Sequence, residues 1–437
     1  MLMLYKKKGK KRKLKLKALR DVEKSQTLFI NEQSRSLEAE GQKVYKFGFG
    51  QNPFEPPAIM QKTLAKNAHQ ALYVPVGGIP ELRTEISKFY KKKYKMSVSP
   101  DNVLVGPGSK QLMLNIMMAF EKANVFVPGP SWVSYAPQAR LAGHNVLCVE
   151  TDYDKRWRMT YESLHRAIKG AEKGVQNILV LNYPDNPCGL QYSKDELEAL
   201  VPLLRSNGFL VISDEIYSML DYNKSHSSIA NLYPEGTIVT SGLSKMLGAG
   251  GWRLGYCLVP ESDDDGLRDA LLGMGSETYS CAAAPIQYAA IEAFKYGKEI
   301  KEYIAQETRI LKTIGQLSYG ILKEGGVNVH APEGGFYLFL DFSPFREKLA
   351  KRGIKTSDDL CDKILKETGA AILTASAFNM PAEALAARYS YVDFDGVTAL
   401  KDAMKTPASK PLSKAFIKKH FAHGLEGTRK IVDFLND

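Results

Sequence analysis

Seven short apolar segments, separated by helical stretches, occupy the chain between about residues 70 and 300 and constrain its fold more than any other feature. They are 103–106 (VLVG), 124–128 (NVFVP), 145–150 (NVLCVE), 177–183 (NILVLNY), 209–215 (FLVISDE), 237–242 (TIVTSG) and 254–259 (LGYCLV). Most are continuously apolar rather than alternating, which is the pattern of strands covered on both faces by crossover helices. The sequence therefore predicts an α/β fold with a mainly parallel seven-stranded sheet.

The segments outside this region predict a second, smaller domain. A chain of 437 residues exceeds the size at which a single hydrophobic core usually stops growing. After a long helical stretch over 284–325, an α+β pattern follows, with strand segments at 334–342, 370–378 and 387–394 and helical segments at 356–369 and 411–435. Another helical segment, within 25–45, ends at Gly41. We predict a basic, disordered tail (1–24), an N-terminal arm that joins the small domain (25–69), a large domain (70–315) and a C-terminal small domain (316–437).

The formal net charge of +11 belongs almost entirely to the first twenty residues. Ten Lys and Arg and no acid lie there, so the rest of the chain carries a formal charge of only +1. We interpret this tail as a solvated extension, and leave polyanion contact or a targeting role open. Its many Lys and few Ser fit an organellar transit peptide poorly.

The composition disfavours several classes of protein. No run of about 18 or more apolar residues appears, so no membrane-spanning segment is predicted. The five cysteines form no CxxC pair and the seven histidines no HExxH motif, so we expect neither a disulfide framework nor a metal site. This cysteine usage favours a reducing compartment, and we predict the cytoplasm, with organellar import by the tail left open.

Polar residues follow four of the predicted strands at their carboxyl ends, the edge at which open parallel sheets bind ligands. Gly108, Ser109 and Lys110 follow the first strand, and Asn186 follows 177–183. Asp214 and Tyr217 lie at the end of FLVISDEIY (209–217), and Lys245 follows 237–242 with Arg253 shortly after. We therefore expect a carboxylate, a lysine, an arginine, a phenol and a Gly/Ser turn to gather at one rim of the sheet.

This set of groups suits a phosphorylated cofactor that carries a ring nitrogen and an aldehyde. Free N–H groups of a helix that begins after Gly108 attract a phosphate, and Arg253 adds a bidentate contact. Asp214 can keep a pyridinium protonated, and Lys245 can form an imine once its amine is deprotonated. Each residue has a simpler explanation, since Asp214 would also suit a helix cap and Lys245 a solvated loop. The convergence of all of them favours the cofactor site.

The motifs around these residues, in their order and spacing, resemble those of the class I/II aminotransferases of pyridoxal phosphate (PLP) fold type I, the aspartate-aminotransferase-like group. They are GFGQNPFEPP, Tyr73 before VGGIPELR, GSKQ, PSWVSY, NYPDNPCG, SDEIY, SGLSK, GGWRLGY, PEGGFYLF and ARYSYVDF. The resemblance extends from about residue 25 to the C-terminus. It implies a fold-type I architecture, PLP as cofactor, and ping-pong transfer of the α-amino group of an L-amino acid to a 2-oxo acid.

The resemblance also implies roles for individual residues. Lys245 would be the catalytic lysine that holds PLP as a Schiff base and moves the Cα proton, and Asp214 would pair with the pyridine nitrogen. The other implied cofactor contacts are those of Ser109, Lys110, Trp132, Asn186, Tyr217, Ser244 and Arg253, with Tyr73 contributed by the neighbouring subunit of a homodimer. The implied substrate contacts are Gly50, Trp132, Asn186 and Arg388, the last as a clamp on the α-carboxylate.

Two positions depart from the family pattern. The usual Asn-Pro-Thr/Ser-Gly turn contains Cys188 here, and a thiol is a weak hydrogen-bonding group, so any contact made by the hydroxyl is in doubt. Many members also carry a serine three residues before the lysine as a phosphate ligand, where this chain has Gly242. Ser241 or Ser244 could replace it, and both stay open.

The predicted cofactor-binding residues identify the cofactor, but they do not determine which substrate is used or which reaction is catalysed. A β-lyase on the same scaffold is one alternative to an aminotransferase; a nucleic-acid-binding regulator is another, disfavoured because 1–24 is too short for a helix-turn-helix. Aspartate or glutamate is the expected amino donor, with aromatic amino acids or alanine as further options. Lys110, Arg35 and Arg140 are candidate cations for a side-chain carboxylate, whereas Tyr279, Phe336 and Tyr337 would suit an apolar side chain.

Overall fold

The computed structural model describes residues 26–262 and 266–437, so the predicted basic tail lies outside the described residues. The strands are β1 (Tyr45–Lys46), β2 (Val103–Gly106), β3 (Ala123–Pro128), β4 (Asn145–Val149), β5 (Gln176–Asn182), β6 (Phe209–Asp214), β7 (Thr237–Gly242), β8 (Gly255–Leu258), β9 (Tyr337–Asp341), β10 (Ala370–Ala371), β11 (Leu373–Thr374) and β12 (Ala386–Ser390). The helices are α1 (Gln26–Ala39), α2 (Ala58–Lys66), α3 (Pro80–Tyr94), α4 (Ser109–Met118), α5 (Tyr135–Leu141), α6 (Tyr161–Ile168), α7 (Lys194–Ser206), α8 (Leu243–Met246), α9 (Leu267–Thr278), α10 (Ala284–Lys295), α11 (Lys298–Glu324), α12 (Arg346–Lys351), α13 (Ser357–Thr368), α14 (Gly396–Ala403) and α15 (Lys414–Asn436).

A seven-stranded sheet in the order β2-β8-β7-β6-β5-β3-β4 forms the centre of the molecule. Its strands run parallel except for β8, which is antiparallel to both of its neighbours, β7 and β2. The inner strands are buried along nearly their whole length, because helices cover both faces of the sheet. The predicted mainly parallel seven-stranded sheet is confirmed.

Short turns at the carboxyl edge of this sheet position the polar residues that follow the strands. Gly106 ends β2 and Ser109 begins α4, so the helix N-terminus lies at the edge itself. In the same way Gly242 ends β7 and Leu243 begins the single turn of α8. The carboxyl ends of parallel strands meet at one edge, so these two turns lie on the same side of the sheet as the end of β6.

The C-terminal part contains a three-stranded antiparallel sheet, β11-β12-β9. The N-terminal arm joins it through β1, which pairs in parallel with β10, Tyr45 opposite Ala370. The single strand predicted over 370–378 is wrong. Ala370–Ala371 pair with β1 and Leu373–Thr374 pair with β12, so the chain crosses between two sheets and then enters a 3-10 turn over Ala375–Phe378.

The long helix predicted over 284–325 is in fact two helices, α10 and α11. Tyr296 adopts a left-handed conformation with φ of 51°, and its N–H bonds to the carbonyl of Ala293. A left-handed residue cannot continue a right-handed helix, so α10 ends there and α11 starts after Gly297. Helix α11 then packs against α14 and α15.

Two kinds of feature are absent from residues 26–262 and 266–437. No helix there is long and apolar enough to cross a membrane. Likewise, within 26–262 and 266–437 no three His, Cys, Asp or Glu side chains form a group that would hold a metal ion.

Candidate active site

A cavity of about 500 Å³ opens at the carboxyl edge of the large sheet. Ten predicted site residues line it: Gly50, Ser109, Lys110, Trp132, Asn186, Asp214, Tyr217, Ser244, Lys245 and Arg253. Its other lining residues, which were not predicted, are Phe49, Gln51, Tyr135, Asn182, Ile216, Gly250 and Gly251. The rim inferred from strand ends is therefore a single cavity, completed by the N-terminal arm at 49–51.

Lys245 projects into this cavity from α8. Its ammonium donates to the carbonyl oxygen of Gly50 at 2.8 Å. Desolvation, with repulsion from the Arg388 guanidinium, lowers the pKa of Lys245 to about 8. A lysine in this state exchanges a proton near neutral pH, as an imine-forming and proton-moving group requires.

The backbone of Lys245 is held by a buried contact that sequence reasoning missed. The Asn52 side-chain amide donates to the Lys245 carbonyl at 2.6 Å and also to the Glu307 carboxyl group, which α11 carries. Burial raises the pKa of Glu307 well above its usual range. Asn52 lies in the GFGQNPFEPP motif, but its partners are distant in sequence, so the motif alone gave no signal of this contact.

Asp214 ends β6 at the floor of the cavity, where its side chain is 3% exposed. The Tyr135 hydroxyl donates to its Oδ2 atom at 2.7 Å. Burial raises the pKa of Asp214 to about 6, against the opposing effect of this hydrogen bond. The carboxylate is therefore ionised at neutral pH, which suits a protonated ring nitrogen. Tyr135 was missed as a site residue, although it stands in the PSWVSY motif.

One end of the cavity is suited to a phosphate. Ser109 and Lys110 form the first turn of α4, whose N–H groups have no helical partners. The Arg253 guanidinium lies beside Gly108, donating to the carbonyls of Gly250 at 3.0 Å and Pro107 at 3.4 Å. Gly108 has φ of +98°, and a Cβ atom there would overlap the Arg253 guanidinium. Glycine thus allows the arginine to approach the helix N-terminus.

The two candidate serines differ in position. Ser244 lines the cavity. Ser241 is buried within β7, and its hydroxyl donates to the carbonyl of Glu215 at 3.4 Å. Ser244 is therefore the better candidate for a phosphate contact.

Arg388 lies behind Asn186, 2% exposed, and does not line the cavity itself. It donates to the Asn186 side-chain oxygen at 3.0 Å and to the carbonyl of Gly48 at 2.6 Å. Its Nε atom is buried without a partner, and its guanidinium lies over the rings of Tyr337 and Phe378 at 4.7 and 5.0 Å. An arginine whose buried N–H has no partner can donate a hydrogen bond to a carboxylate.

Two aromatic side chains, Tyr217 and Trp132, line the cavity. The Tyr217 hydroxyl is hydrogen-bonded to the Tyr337 hydroxyl at 3.0 Å. Trp132 packs edge-on against Tyr135, and the Lys110 ammonium lies 4.8 Å from the Trp132 ring. Burial, with repulsion from Arg253, lowers the pKa of Lys110. Lys110 therefore adds a cation to the wall near Trp132.

The remaining predicted residues lie away from the cavity. Arg35 and Arg140 are exposed and do not line it, Tyr279 packs beside Gly106 and Gly275, and Tyr73 is 88% exposed. Cys188 is buried in an apolar cluster with Ile30 and Phe339, and its N–H donates to Asp185. The thiol is thus accommodated by packing, and it does not face the cavity.

The donors and acceptors of the cavity match PLP in kind. A helix N-terminus with Arg253 and Ser244 suits the phosphate, the buried Asp214 carboxylate suits the ring nitrogen, and the Lys245 amine suits the aldehyde. Fold and site together define a PLP-dependent enzyme.

Comparison with known proteins identifies the family. The family described as "Aminotransferase class I and II" matches residues 42–390. The chain is 31% identical to an aspartate aminotransferase of Bacillus sp. (strain YM-2), over 82% of this chain and 90% of that protein. It is 32% identical to an asparagine–oxo-acid transaminase of Streptococcus mutans, over 88% and 95%. The solved aspartate aminotransferase of Thermus thermophilus with maleate has a TM-score of 0.77 at 27% identity, covering 88% of this chain and 96% of that one.

The chain belongs to the class I and II aminotransferases. It is a PLP-dependent enzyme that transfers amino groups between amino acids and 2-oxo acids. The family, fold class, cofactor and reaction type predicted from the motifs are thereby confirmed.

Proposed function

We propose that this aminotransferase uses a dicarboxylic L-amino acid, aspartate or glutamate, as amino donor and a 2-oxo acid as acceptor. Besides Arg253 and Lys245, which are assigned to the phosphate and the aldehyde, two further cations lie at the cavity. They are Arg388 behind Asn186 and Lys110 beside Trp132, and their presence carries the proposal. Two carboxylates on one substrate need two such partners. Among the relatives, several are named aspartate aminotransferases, which agrees with this choice.

Lys245 is the proposed acid–base group. When bound, PLP supplies an aldehyde that reacts with the substrate amine and a ring that accepts electrons. The Lys245 amine, with its pKa lowered to about 8, would accept the Cα proton of the bound substrate and hold it for return, acting as base and then as acid. The Gly50 carbonyl holds this amine when it is free, and Asn52 fixes its backbone.

Other residues of the chain are proposed to hold the reactants in place. Asp214, steadied by Tyr135, keeps the proton on the ring nitrogen. Asn186 and Tyr217 hold the ring oxygen, Trp132 packs on the ring, and the N–H groups of Ser109 and Lys110 bind the phosphate with Ser244 and Arg253. Arg388 binds the α-carboxylate with its unused Nε donor, next to Asn186 and the Gly50 segment.

Lys110 is the proposed partner of the distal carboxylate. Its ammonium lies in the cavity wall, whereas the other two candidate cations, Arg35 and Arg140, are exposed and lie outside it. The Trp132 ring supports the stem and charge of Lys110.

We further propose a homodimer in a reducing compartment such as the cytoplasm. Leu72 and Tyr73 are 85% and 88% exposed on one turn, which suits burial against a second copy. Tyr73 would then reach the phosphate of the neighbouring site. The free state of all five cysteines agrees with a reducing environment.

A half-reaction screen tests the function. PLP-loaded enzyme is mixed with each of the twenty amino acids, and conversion to the pyridoxamine form is followed by absorbance. Aspartate and glutamate should convert the cofactor fastest, and Lys245→Ala should abolish both turnover and the absorbance of the lysine-bound cofactor. Release of ammonia and pyruvate from cystathionine, without conversion by aspartate, would instead indicate a lyase.

The substrate proposal is tested by Lys110→Gln beside Lys110→Arg. Loss of the distal ion pair should lower kcat/KM for aspartate roughly tenfold to a hundredfold in Lys110→Gln and leave that for alanine nearly unchanged. Lys110→Arg keeps the charge and should retain most of the aspartate activity. An equal loss for aspartate and alanine in Lys110→Gln would contradict the role.

A further inference from the structure

Tyr337 lies where three groups of the proposed machinery meet. It is the first residue of β9 in the C-terminal three-stranded sheet and is 1% exposed. Its hydroxyl is 3.0 Å from the Tyr217 hydroxyl and 3.2 Å from the Gly50 carbonyl oxygen, while its ring lies 4.7 Å from the Arg388 guanidinium. Neither its place in the predicted strands nor the sequence motifs assign Tyr337 a role at the cofactor.

The directions of these hydrogen bonds follow from elementary donor counting. A carbonyl oxygen only accepts, so Tyr337 donates its single proton to Gly50. The Tyr337 oxygen then accepts the proton of Tyr217. The Gly50 carbonyl also accepts from Lys245 at 2.8 Å, so both of its lone pairs are occupied.

We propose that the Tyr337 hydroxyl is a positioning group, which competes with the cofactor's ring oxygen for the one proton of Tyr217 and shares the Gly50 carbonyl with Lys245. It thereby sets how strongly Tyr217 hydrogen-bonds the cofactor. Its ring has a separate task, the support of Arg388. This inference rests on the cofactor and substrate roles proposed above for Tyr217, Lys245 and Arg388.

The packing around Tyr217 and Tyr337 enforces the competition between Tyr337 and the cofactor for the Tyr217 proton. Tyr217 and Tyr337 are both almost wholly buried, so solvent does not take the place of either hydroxyl. Burial raises the pKa of both phenols, so each keeps its single proton at neutral pH. Gly50 allows the close approach, because a Cβ atom there would overlap the Tyr337 hydroxyl. The charged groups that face the Tyr217, Tyr337 and Lys245 cluster are Asp214 on β6, Arg388 on β12, Lys110 on α4 and Arg253 after α8.

The test is a spectrophotometric pH titration of the PLP-loaded enzyme, which measures the pH at which the lysine-bound cofactor loses its proton. In Tyr337→Phe, Tyr217 is free to donate fully to the negative ring oxygen of the deprotonated form. The midpoint should therefore fall by about 0.5 to 1 pH unit. In Tyr217→Phe the donor itself is lost and the midpoint should rise.

The double variant distinguishes positioning through Tyr217 from a general structural effect. If Tyr337 acts through Tyr217, then Tyr337→Phe combined with Tyr217→Phe should titrate as Tyr217→Phe alone. An unchanged midpoint in Tyr337→Phe, or an equal shift in both backgrounds, overturns the inference. An unchanged midpoint in Tyr217→Phe overturns instead the proposed cofactor contact of Tyr217, and the inference with it.

A binding measurement separates the ring from the hydroxyl. Maleate, a dicarboxylate without an amine, is titrated into PLP-loaded enzyme and followed by absorbance. Tyr337→Phe keeps the ring over Arg388 and should bind maleate as the unaltered enzyme does, whereas Tyr337→Leu should weaken binding roughly threefold or more. Weakening in Tyr337→Phe equal to that in Tyr337→Leu would refute the division of tasks.

Discussion

At residue scale, the chemistry of Lys245 depends on the groups that surround its amine. Desolvation and the nearby Arg388 charge lower its pKa to about 8. Only the neutral amine accepts a proton, so the competent fraction falls about tenfold for each pH unit below that value.

We therefore predict the pH profile of the second half-reaction. Enzyme loaded with pyridoxamine phosphate is mixed with a 2-oxo acid in a stopped-flow instrument, where the substrate has no group that titrates near neutrality. The logarithm of the rate constant, plotted against pH, should rise with a slope of one up to about pH 8 and should be constant above it. A flat profile from about pH 6 to 9 would show that deprotonation of Lys245 does not limit the step.

The raised pKa of Asp214 leads to a prediction about how the stability of the apoenzyme depends on pH. Burial raises its pKa from 3.8 to about 6, so its favourable contribution to apoenzyme stability is complete below the unfolded pKa and is lost as the pH rises through 6. At pH 8 the ionised, buried carboxylate costs about 1–3 kcal/mol. In apoenzyme, Asp214→Asn should thus raise the melting temperature at pH 8 by roughly 2 °C or more and by clearly less at pH 5.

The control for this prediction is Asp154→Asn, at an exposed position. It should change the melting temperature equally little at both pH values. A lower melting temperature for Asp214→Asn at pH 8 would mean that the carboxylate stabilises the apoenzyme, against the stated sign. PLP-loaded Asp214→Asn should nevertheless lose most of its activity, since the ring-nitrogen partner is gone.

The sequence predicted which groups gather at the site better than it predicted their partners. Strand ends and motif order gave Lys245, Asp214 and Arg253, because local pattern determines where a strand stops. The contacts Asn52–Lys245, Tyr135–Asp214 and Tyr337–Gly50 span 193, 79 and 287 residues. Such contacts depend on how whole elements pack, which a local pattern does not encode.

At element scale, the turn between β2 and α4 shapes the end of the cavity that is proposed to bind the phosphate. Gly108 has φ of +98°, and its missing Cβ leaves room for the Arg253 guanidinium. Gly108→Ala should strain the backbone and displace Arg253, so the dissociation constant of PLP should increase roughly tenfold or more. Equilibrium titration of apoenzyme with PLP measures this.

Gly143→Ala is the matched control for the backbone strain. Gly143 also has a positive φ, +89°, but no atom lies within 4 Å of its would-be Cβ. It should lower stability as Gly108→Ala does and leave PLP affinity unchanged. Equal losses of affinity in the two variants would attribute the effect to backbone strain alone.

Element type was predictable where burial is uniform and less so where the chain changes partners. Most of the seven strands of the large sheet are continuously apolar, and all seven were predicted within two residues of their bounds. The end of α10 at Tyr296 was not predicted, because the left-handed conformation of this tyrosine is stabilised by tertiary packing, here edge-on against Phe89. The division of 370–374 between two sheets was not predicted either. Pairing with two different sheets leaves the apolar sequence pattern of this segment unchanged.

At the scale of the whole molecule, the cavity is assembled from segments that are far apart in the chain. The arm contributes Gly50, the end of β6 contributes Asp214 and the following helix α8 contributes Lys245. The C-terminal sheet carries Arg388 and Tyr337, which do not line the cavity but hydrogen-bond the lining residues Asn186 and Tyr217. The proposed dimer would add one residue more, Tyr73, from a second copy. Its side chain is 88% exposed in the single chain, as expected of a group whose partner lies on another subunit.

A mixed-dimer experiment tests this sharing of sites. Tyr73→Ala should weaken PLP binding because the phosphate loses a charged hydrogen bond, and at limiting PLP its activity should fall roughly tenfold. Lys245→Ala is inactive by itself. In a hybrid of the two subunits, one site receives intact Tyr73 from the Lys245→Ala subunit and keeps its own Lys245, so each hybrid dimer should have about half the activity of an unaltered dimer at limiting PLP. Random mixing of equal amounts makes about half of the dimers hybrids, so the mixture should reach about a quarter of the unaltered activity. Hybrids that stay as weak as the Tyr73→Ala homodimer would show that Tyr73 serves its own subunit, because then no hybrid site regains both residues.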